Sequence, residues 1–382
     1  MTIYFLNGKM QKLKILYNKH PNLIAGIKLA FFLYLFFLSL QLMGDSMKLF
    51  GKEFANTLIQ TTSNPFVGLF IGILATSIVQ SSSSTTSIVV GMVAGGVLNI
   101  HNAIPIIMGA NIGTSITNTI ASLPQINRSN EFRRAFAAAT VHDFFNFLAV
   151  IVLFPLQVAT NFLGIASEVL ANSFQNVGGL NFLNPVKTIT KPVSNYIILQ
   201  LKLGIGEGIL YKWIALAIAL IFLFFALKNM TDSLKILIMS KAKAWFDQFL
   251  FKTTPRAMIV GLLLTVLVQS SSITTSLVVP MAGAGLLTLV QIFPYTLGAN
   301  VGTTITAILA ALVTGNIAAV TVAFAHLLFN IGGIIIWLPL KIVPIAMAQK
   351  FAEYSIKNKL IPVAYIVILF FVIPILVIYF VN

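Results

Sequence analysis

Two runs of hydroxyl side chains set the first constraint on chemistry. Gln80 is followed by Ser81, Ser82, Ser83 and Ser84, and Gln269 by Ser270, Ser271 and Ser272. An isolated serine in an apolar helix ordinarily bonds back to a carbonyl of the preceding turn. Successive helical residues point about 100° apart, so a run of hydroxyls cannot all face packed neighbours. A helix broken at Gln-Ser-Ser-Ser, with a half-helix starting near Thr85, instead presents free backbone N–H groups and a positive dipole end. Such an end accepts an anion, and serine hydroxyls add donors without adding charge. Two such ends are expected to clamp a tetrahedral oxyanion from opposite sides.

A second pair of motifs offers hard oxygen ligands. Gly109-Ala110-Asn111-Ile112-Gly113-Thr114 is matched by Gly298-Ala299-Asn300-Val301-Gly302-Thr303. The first copy supplies flexible backbone at Gly113, the Asn111 amide and the hydroxyls of Thr114 and Thr117. The second supplies Asn300, Thr303, Thr304 and Thr306. Carbonyl, hydroxyl and amide oxygens at unwound helix segments suit Na⁺. Of nine acidic residues, only Asp143 stands inside a long apolar run, between Ala135 and Phe154. A carboxylate there costs roughly 3 kcal/mol on insertion scales unless it finds a partner. Functional use is the default reading, with pairing to Arg133 or Arg134 as the structural alternative. His142 and His326 each stand four residues before an Asn, Asn146 and Asn330. They read as structural histidines, because metal-ligand spacing is not found in both copies.

The elements that position these groups follow from composition. The 382 residues are 58% apolar and only 9% charged, with a mean hydropathy of +0.95. Soluble domains carry about 25% charged residues, so a soluble enzyme, a fibrous protein and a disordered chain are excluded. Long uninterrupted apolar runs also argue against an outer-membrane barrel. Lys and Arg exceed Asp and Glu by 24 − 9 = 15. In a soluble protein this excess would suggest nucleic acid. Here the basic residues mostly flank apolar runs, where they orient spans and meet lipid headgroups. Lys9, Lys12, Lys14 and Lys19 precede the first long run, Ile24–Met43, which places the N-terminus in the cytoplasm. That run reads as a retained span rather than a signal peptide. The chain has no cysteine, hence neither a disulfide framework nor a thiolate metal site.

An internal repeat organises the chain. Thr76–Thr119 lies over Thr265–Ile308 at a constant offset, with 22 identities in 44 positions. Asp45-Ser46-Met47-Lys48 lies over Asp232-Ser233-Leu234-Lys235, and His142, Asn146 and Pro155 lie over His326, Asn330 and Pro339. Packing alone would preserve small and apolar residues and gives no reason to keep Gln-Ser-Ser-Ser twice. Two halves interrupted at the same place point to a secondary transporter with its site at the repeat interface. The expected fold is an all-α polytopic membrane protein of two inverted repeats, each with a re-entrant helical hairpin, with about eight spans besides the hairpins. The expected segments are a basic N-terminal segment (1–21), repeat 1 (22–156), a mostly extramembrane connector (157–212), repeat 2 (213–340) and a C-terminal segment with the last span (341–382).

The doubled Gln-Ser-Ser-Ser, the doubled Gly-Ala-Asn-(Ile/Val)-Gly-Thr, and Glu131-Phe132-Arg133-Arg134-Ala135-Phe136 running on to Val141-His142-Asp143-Phe144-Phe145-Asn146 resemble the type II sodium-dependent phosphate cotransporters. The resemblance covers about 22–156 and 213–340. It implies two inverted repeats with helical hairpins, and divalent phosphate carried with Na⁺ as the coupling ion and no other cofactor. Ser81, Ser82, Ser83, Ser270, Ser271 and Ser272 would cradle the substrate, with Gln80, Gln269, Asn111 and Asn300 beside them. Gln125, Asp143, Asn146, Thr303 and Thr306 would serve sodium, together with Thr114, Thr119 and Ala299. Animal members have Ser where Ala110 and Ala299 stand, so a carbonyl or water must replace that hydroxyl. The family's acidic residue is also missing from Ile126-Asn127-Arg128, which follows Gln125. Asp143 matches the acid that marks the electrogenic branch. The implied partners are inorganic phosphate, Na⁺ and the lipid bilayer of a bacterial plasma membrane, with a homodimer left open and no nucleic acid.

Three other readings compete. Another oxyanion, sulfate or arsenate, offers similar tetrahedral geometry. An intramembrane serine hydrolase would need an exposed nucleophile on a strained turn, and no Gly-x-Ser-x-Gly is present. An anion channel would need a ring of fixed charge or a continuous pore.

Overall fold

The computed structural model describes residues 21–176, 184–245 and 251–381; the expected basic segment therefore lies outside the described residues, apart from its last position. Among them the chain is helical, with no strand. The first repeat comprises α1 (Pro21–Leu49), α2 (Gly51–Thr61), α3 (Pro65–Val79), α4 (Ser82–Ala94), α5 (Ile100–Thr114), α6 (Ile116–Ser122) and α7 (Ser129–Thr160). Next come α8 (Phe162–Asn176) and α9 (Asn184–Ile205). The second repeat comprises α10 (Ile209–Trp245), α11 (Thr254–Val268), α12 (Ser271–Gly283), α13 (Leu289–Thr314) and α14 (Ile317–Trp337). The chain ends with α15 (Ile342–Ser355), then α16 (Leu360–Val367) and α17 (Ile373–Val381), joined by a π-helical turn at Ile368–Val372.

Among the described residues six helices are long and apolar enough to cross a membrane: α1, α7, the first part of α10, α13, α14 and the α16–α17 rod. With the bent pair α2–α3 counted as one span the total is seven, close to the about eight that the sequence suggests. The counterpart of α13 in the first repeat is divided at Ser115 into α5 and α6, so no single helix there is long enough. Within the segment 157–212, α8 packs on α14 and α9 packs on α1.

α3 and α4 have 15 and 13 residues, α11 and α12 likewise 15 and 13. At about 1.5 Å per residue none spans a hydrocarbon core of about 30 Å, as expected for hairpins. The inbound arm of each hairpin lies against the following helix with backbones in contact. A Cβ at Gly72 would collide with the Ile106 carbonyl, and one at Gly109 with that of Leu69. In the second repeat Gly261 meets Tyr295 and Gly298 meets Met258 in the same way. This is the small-xxx-small solution to helix packing in lipid. It corrects the reading of the Gly-Ala-Asn motifs as unwound segments: α5 and α13 run helically through them, and their glycines serve close approach.

The outbound arms cross over. α4 packs on α13 and α14, while α12 packs on α6 and α7. The ends of both arms are held by the other repeat. Arg134 Nη2 donates to the Gly283 carbonyl at 2.6 Å, and Asn316 Nδ2 donates to the Ala94 carbonyl at 3.3 Å. The largest apolar cluster joins α1, α4, α10 and α13 through residues such as Leu42, Met43, Val90, Leu223 and Ala310.

Candidate substrate and cation site

Both hairpins turn by the same backbone device. Gln80 and Gln269 end α3 and α11 with φ of 55°, a left-handed conformation uncommon for a residue with a side chain. Ser81 and Ser270 follow in extended conformation, with φ of −150° and −154°. Each then caps the next helix. Ser81 Oγ accepts from the Ser84 amide at 3.2 Å, and Ser270 Oγ from the Ile273 amide at 3.4 Å. The return helices therefore begin at Ser82 and Ser271, earlier than the expected start near Thr85, because the first serine of each run is spent as the cap. The amides of Ser82, Ser83, Ser271 and Ser272 belong to the first turns that lack intrahelical acceptors.

The two tips meet reciprocally. Ser83 Oγ donates to the Gln269 carbonyl at 3.3 Å, and its counterpart Ser272 Oγ donates to the Gln80 carbonyl at 3.4 Å. Ser82 and Ser271 are buried, and their hydroxyls have no protein acceptor among the described residues. A cavity of about 510 Å³ opens beside the tips. Gln80, Ser81, Ser84, Gln269, Ser270 and Ser272 line it, with Thr117 on one wall and Lys228 and Asp232 of α10 on another. Hydroxyl donors and two helix N-termini, with one cation and one carboxylate on the α10 wall, thus face a space larger than a tetrahedral oxyanion. The two glutamines differ. Gln269 Oε1 accepts from Thr306 Oγ1 at 2.7 Å, whereas Thr117 Oγ1, the counterpart of Thr306, is buried without a partner.

Asp143 is fully buried on α7. Its Oδ2 accepts from Thr119 Oγ1 at 3.1 Å and from Tyr365 Oη at 2.8 Å, and its Oδ1 has no partner. The ion pairs among the described residues are Arg128–Glu131 and Lys202–Glu207. Arg134 is engaged with the carbonyls of Ala282 and Gly283, and Arg133 is exposed. Pairing of Asp143 with either arginine is thereby ruled out as the reason for the acid. A buried carboxylate oxygen without a hydrogen-bond partner, in a carboxylate close to the hydroxyls of Thr119 and Ser115, fits a hard cation such as Na⁺.

A band of amides and imidazoles joins the repeats. His142 bridges Asn118 (3.1 Å) and Asn300 Oδ1 (2.7 Å). Asn300 Nδ2 donates to Asn146 Oδ1, and Asn146 Nδ2 to the Asn111 carbonyl, both at 2.9 Å. His326 Nε2 lies 3.4 Å from Asn111 Oδ1. Both histidines are buried links, and the described residues contain no metal-binding cluster of His and acids. Asn111 and Asn300 thus stand with Asn146 rather than among the cavity's lining residues. Thr114 and Thr303 donate to the carbonyls of Ala110 and Ala299 four residues back. Gln125 ends a short 3₁₀ turn near Gly283 with its Oε1 unpartnered. It is not joined to Asp143. Tyr365, Asn118 and Thr275, whose hydroxyl donates to Asn118 Oδ1 at 2.8 Å, were not singled out by sequence. Asn118 aligns with Ala307 in the repeat, so duplication could not mark it.

A polytopic helical membrane protein of two duplicated halves, with half-helix ends meeting at their interface, has the architecture of a secondary transporter. The chain belongs to the Na⁺/Pi-cotransporter family, whose family model matches residues 35–176 and 221–340. It is 35% identical over 438 residues to sodium-dependent phosphate transport protein 2B of Pongo abelii, covering 91% of this chain and 64% of that protein. It is 36% identical over 419 residues to sodium-dependent phosphate transport protein 2A of Mus musculus, covering 91% of this chain and 66% of that protein. The chain thus spans just under two thirds of the length of these relatives. No solved structure matches it.

Proposed function

We propose that this chain is a Na⁺-coupled symporter of inorganic phosphate, taken up as HPO₄²⁻ by alternating access across a plasma membrane. The observation that carries this reading is the reciprocal meeting of the two Gln-Ser-Ser-Ser tips beside a donor-lined cavity. The first-turn amides and hydroxyls of Ser82, Ser83, Ser271 and Ser272 hold the anion, each helix end adding a positive dipole terminus. The glutamine oxygens accept the single O–H that HPO₄²⁻ retains and sulfate lacks. Asp143, with Thr119 beside it, holds one sodium ion and makes transport electrogenic. Thr303, Thr306, Asn146 and Gln125 complete the sodium sites in the course of the cycle, as the sodium dependence named for the relatives leads one to expect.

The cross-repeat latches support inverted repeats. Arg134, near the start of α7, bonds the end of α12, and Asn316, at the start of α14, bonds the end of α4. α5–α6 and α13 each carry the chain from the base of one hairpin to the helix that holds the other, which suits hairpins entering from opposite faces. The N-terminal lysines favour a cytoplasmic N-terminus.

Purified protein in proteoliposomes tests the reading. An inward Na⁺ gradient drives accumulation of labelled phosphate, arsenate competes and sulfate does not. Uptake that is indifferent to Na⁺, or equal competition by sulfate, contradicts it.

A further inference from the structure

The last membrane span lies outside both repeats and outside the residues matched by the family model, yet one of its side chains reaches the buried acid. Tyr365 Oη donates to Asp143 Oδ2 at 2.8 Å. Its ring is fixed between Phe351 of α15 at 4.9 Å and Phe370 at 5.8 Å, the latter edge-on. Phe370 is fully buried and faces Phe147 at 6.4 Å, one turn beyond Asp143 on α7. Phe351 packs in turn on Phe136 and Phe144 of the same helix. The tyrosine is therefore braced on α7 from both sides of its hydroxyl.

The helix itself is shaped for this contact. Residues 365 and 370 would stand about 140° apart on an uninterrupted α-helix. The π-helical turn at Ile368–Val372 widens the spiral and brings Phe370 back toward the face that carries Tyr365. At the far end of the bond, Thr119 donates to the same carboxylate oxygen. Two hydrogen bonds to Oδ2 fix the carboxyl plane; the Ser115 hydroxyl also lies near the carboxylate, and Oδ1 is left without a hydrogen-bond partner. Both donors are neutral, so the negative charge of the acid stays available to a cation. A lysine or arginine in place of Tyr365 would fix the same oxygen and neutralise the site.

We infer that Tyr365 is a positioning residue of the cation site: by holding Oδ2 of Asp143 it turns Oδ1 toward Na⁺ and ties sodium binding to the last span. This rests on Asp143 serving a sodium ion, as proposed above.

Tyr365→Phe removes one oxygen and keeps the ring packing. In proteoliposomes the half-saturating Na⁺ concentration is expected to rise about tenfold, the worth of one hydrogen bond to a charged acceptor, while the phosphate KM at saturating Na⁺ does not move. In an Asp143→Gly background the same substitution should add nothing, since coupled sites are non-additive. Unchanged Na⁺ dependence in Tyr365→Phe overturns the inference, as does an equal shift in the Asp143→Gly background, which would mark a packing effect. If Tyr365→Phe does not transport at all, the Na⁺-induced rise in Tm of detergent-solubilised protein decides. A smaller rise than in the wild type supports the inference, and an equal rise overturns it. Absence of any Na⁺ dependence in the wild type would instead refute the parent reading.

Discussion

Thr306 Oγ1 lies 2.7 Å from Gln269 Oε1, while the equivalent Thr117 Oγ1 is buried with no partner. The backbone turns at Gln80 and Gln269 share the same φ of 55°, so the difference lies in side chains and not in the hairpin fold. Under the alternating access proposed above, each half would take the other's arrangement in turn.

Thr117→Val should then slow turnover even though the hydroxyl bonds nothing in this state. The expected change is a fall in phosphate Vmax at normal membrane abundance. An unaltered Vmax would mean that Gln80 never closes on Thr117.

Ser82 and Ser271 test the substrate cradle proposed above. Replacement of either by alanine removes one donor, which at about 1 kcal/mol per hydrogen bond raises the phosphate KM roughly fivefold. Both serines are buried behind the cavity's lining residues, so replacement by tryptophan forces the two tips apart and abolishes uptake without loss of protein from the membrane. Loss of expression in the alanine variants would return these serines to a packing role.

Lys228 is exposed at the wall of the same cavity, and the described residues give it no ion pair. Its counterpart in the first repeat is Gln41, whose amide donates to Asp45 at 2.8 Å. Lys228→Gln should raise the phosphate KM about threefold to tenfold through lost electrostatic attraction, and should flatten the dependence of that KM on inert salt. A KM that keeps its salt dependence in the variant would remove Lys228 from the substrate's path.

The two breaks at Gln-Ser-Ser-Ser were legible because an apolar chain has little packing reason to keep those polar residues twice, and Asp143 because it is the one acid inside a long apolar run; the reciprocal bonds of Ser83 and Ser272 to the opposite glutamine carbonyls were not. The start of each return helix was not, since Ser81 and Ser270 look like their neighbours until the backbone shows them as caps. The Gly-Ala-Asn motifs misled in a different way. Gly109 and Gly298 are compatible with both unwinding and close packing, and only the contacts with Leu69 and Met258 decide for packing. Tyr365 left no signal at all. It stands in a span with no partner in the repeat, and its bond to Asp143 crosses 222 residues of chain.

Charge moved per phosphate reports on Asp143 itself. Moving one elementary charge across the membrane is worth about 2.3 kcal/mol per 100 mV, so a symporter whose sodium charge exceeds that of HPO₄²⁻ draws on the membrane potential. In the function proposed above Asp143 sets this balance: it is a buried carboxylate with one oxygen free of hydrogen bonds and no basic partner among the described residues. Current and labelled phosphate uptake measured together in the same cells or vesicles give the charge carried per phosphate. We predict inward current with Na⁺ and phosphate in the wild type, and phosphate uptake without steady current in Asp143→Gly. Equal charge per phosphate in the two proteins would contradict the account.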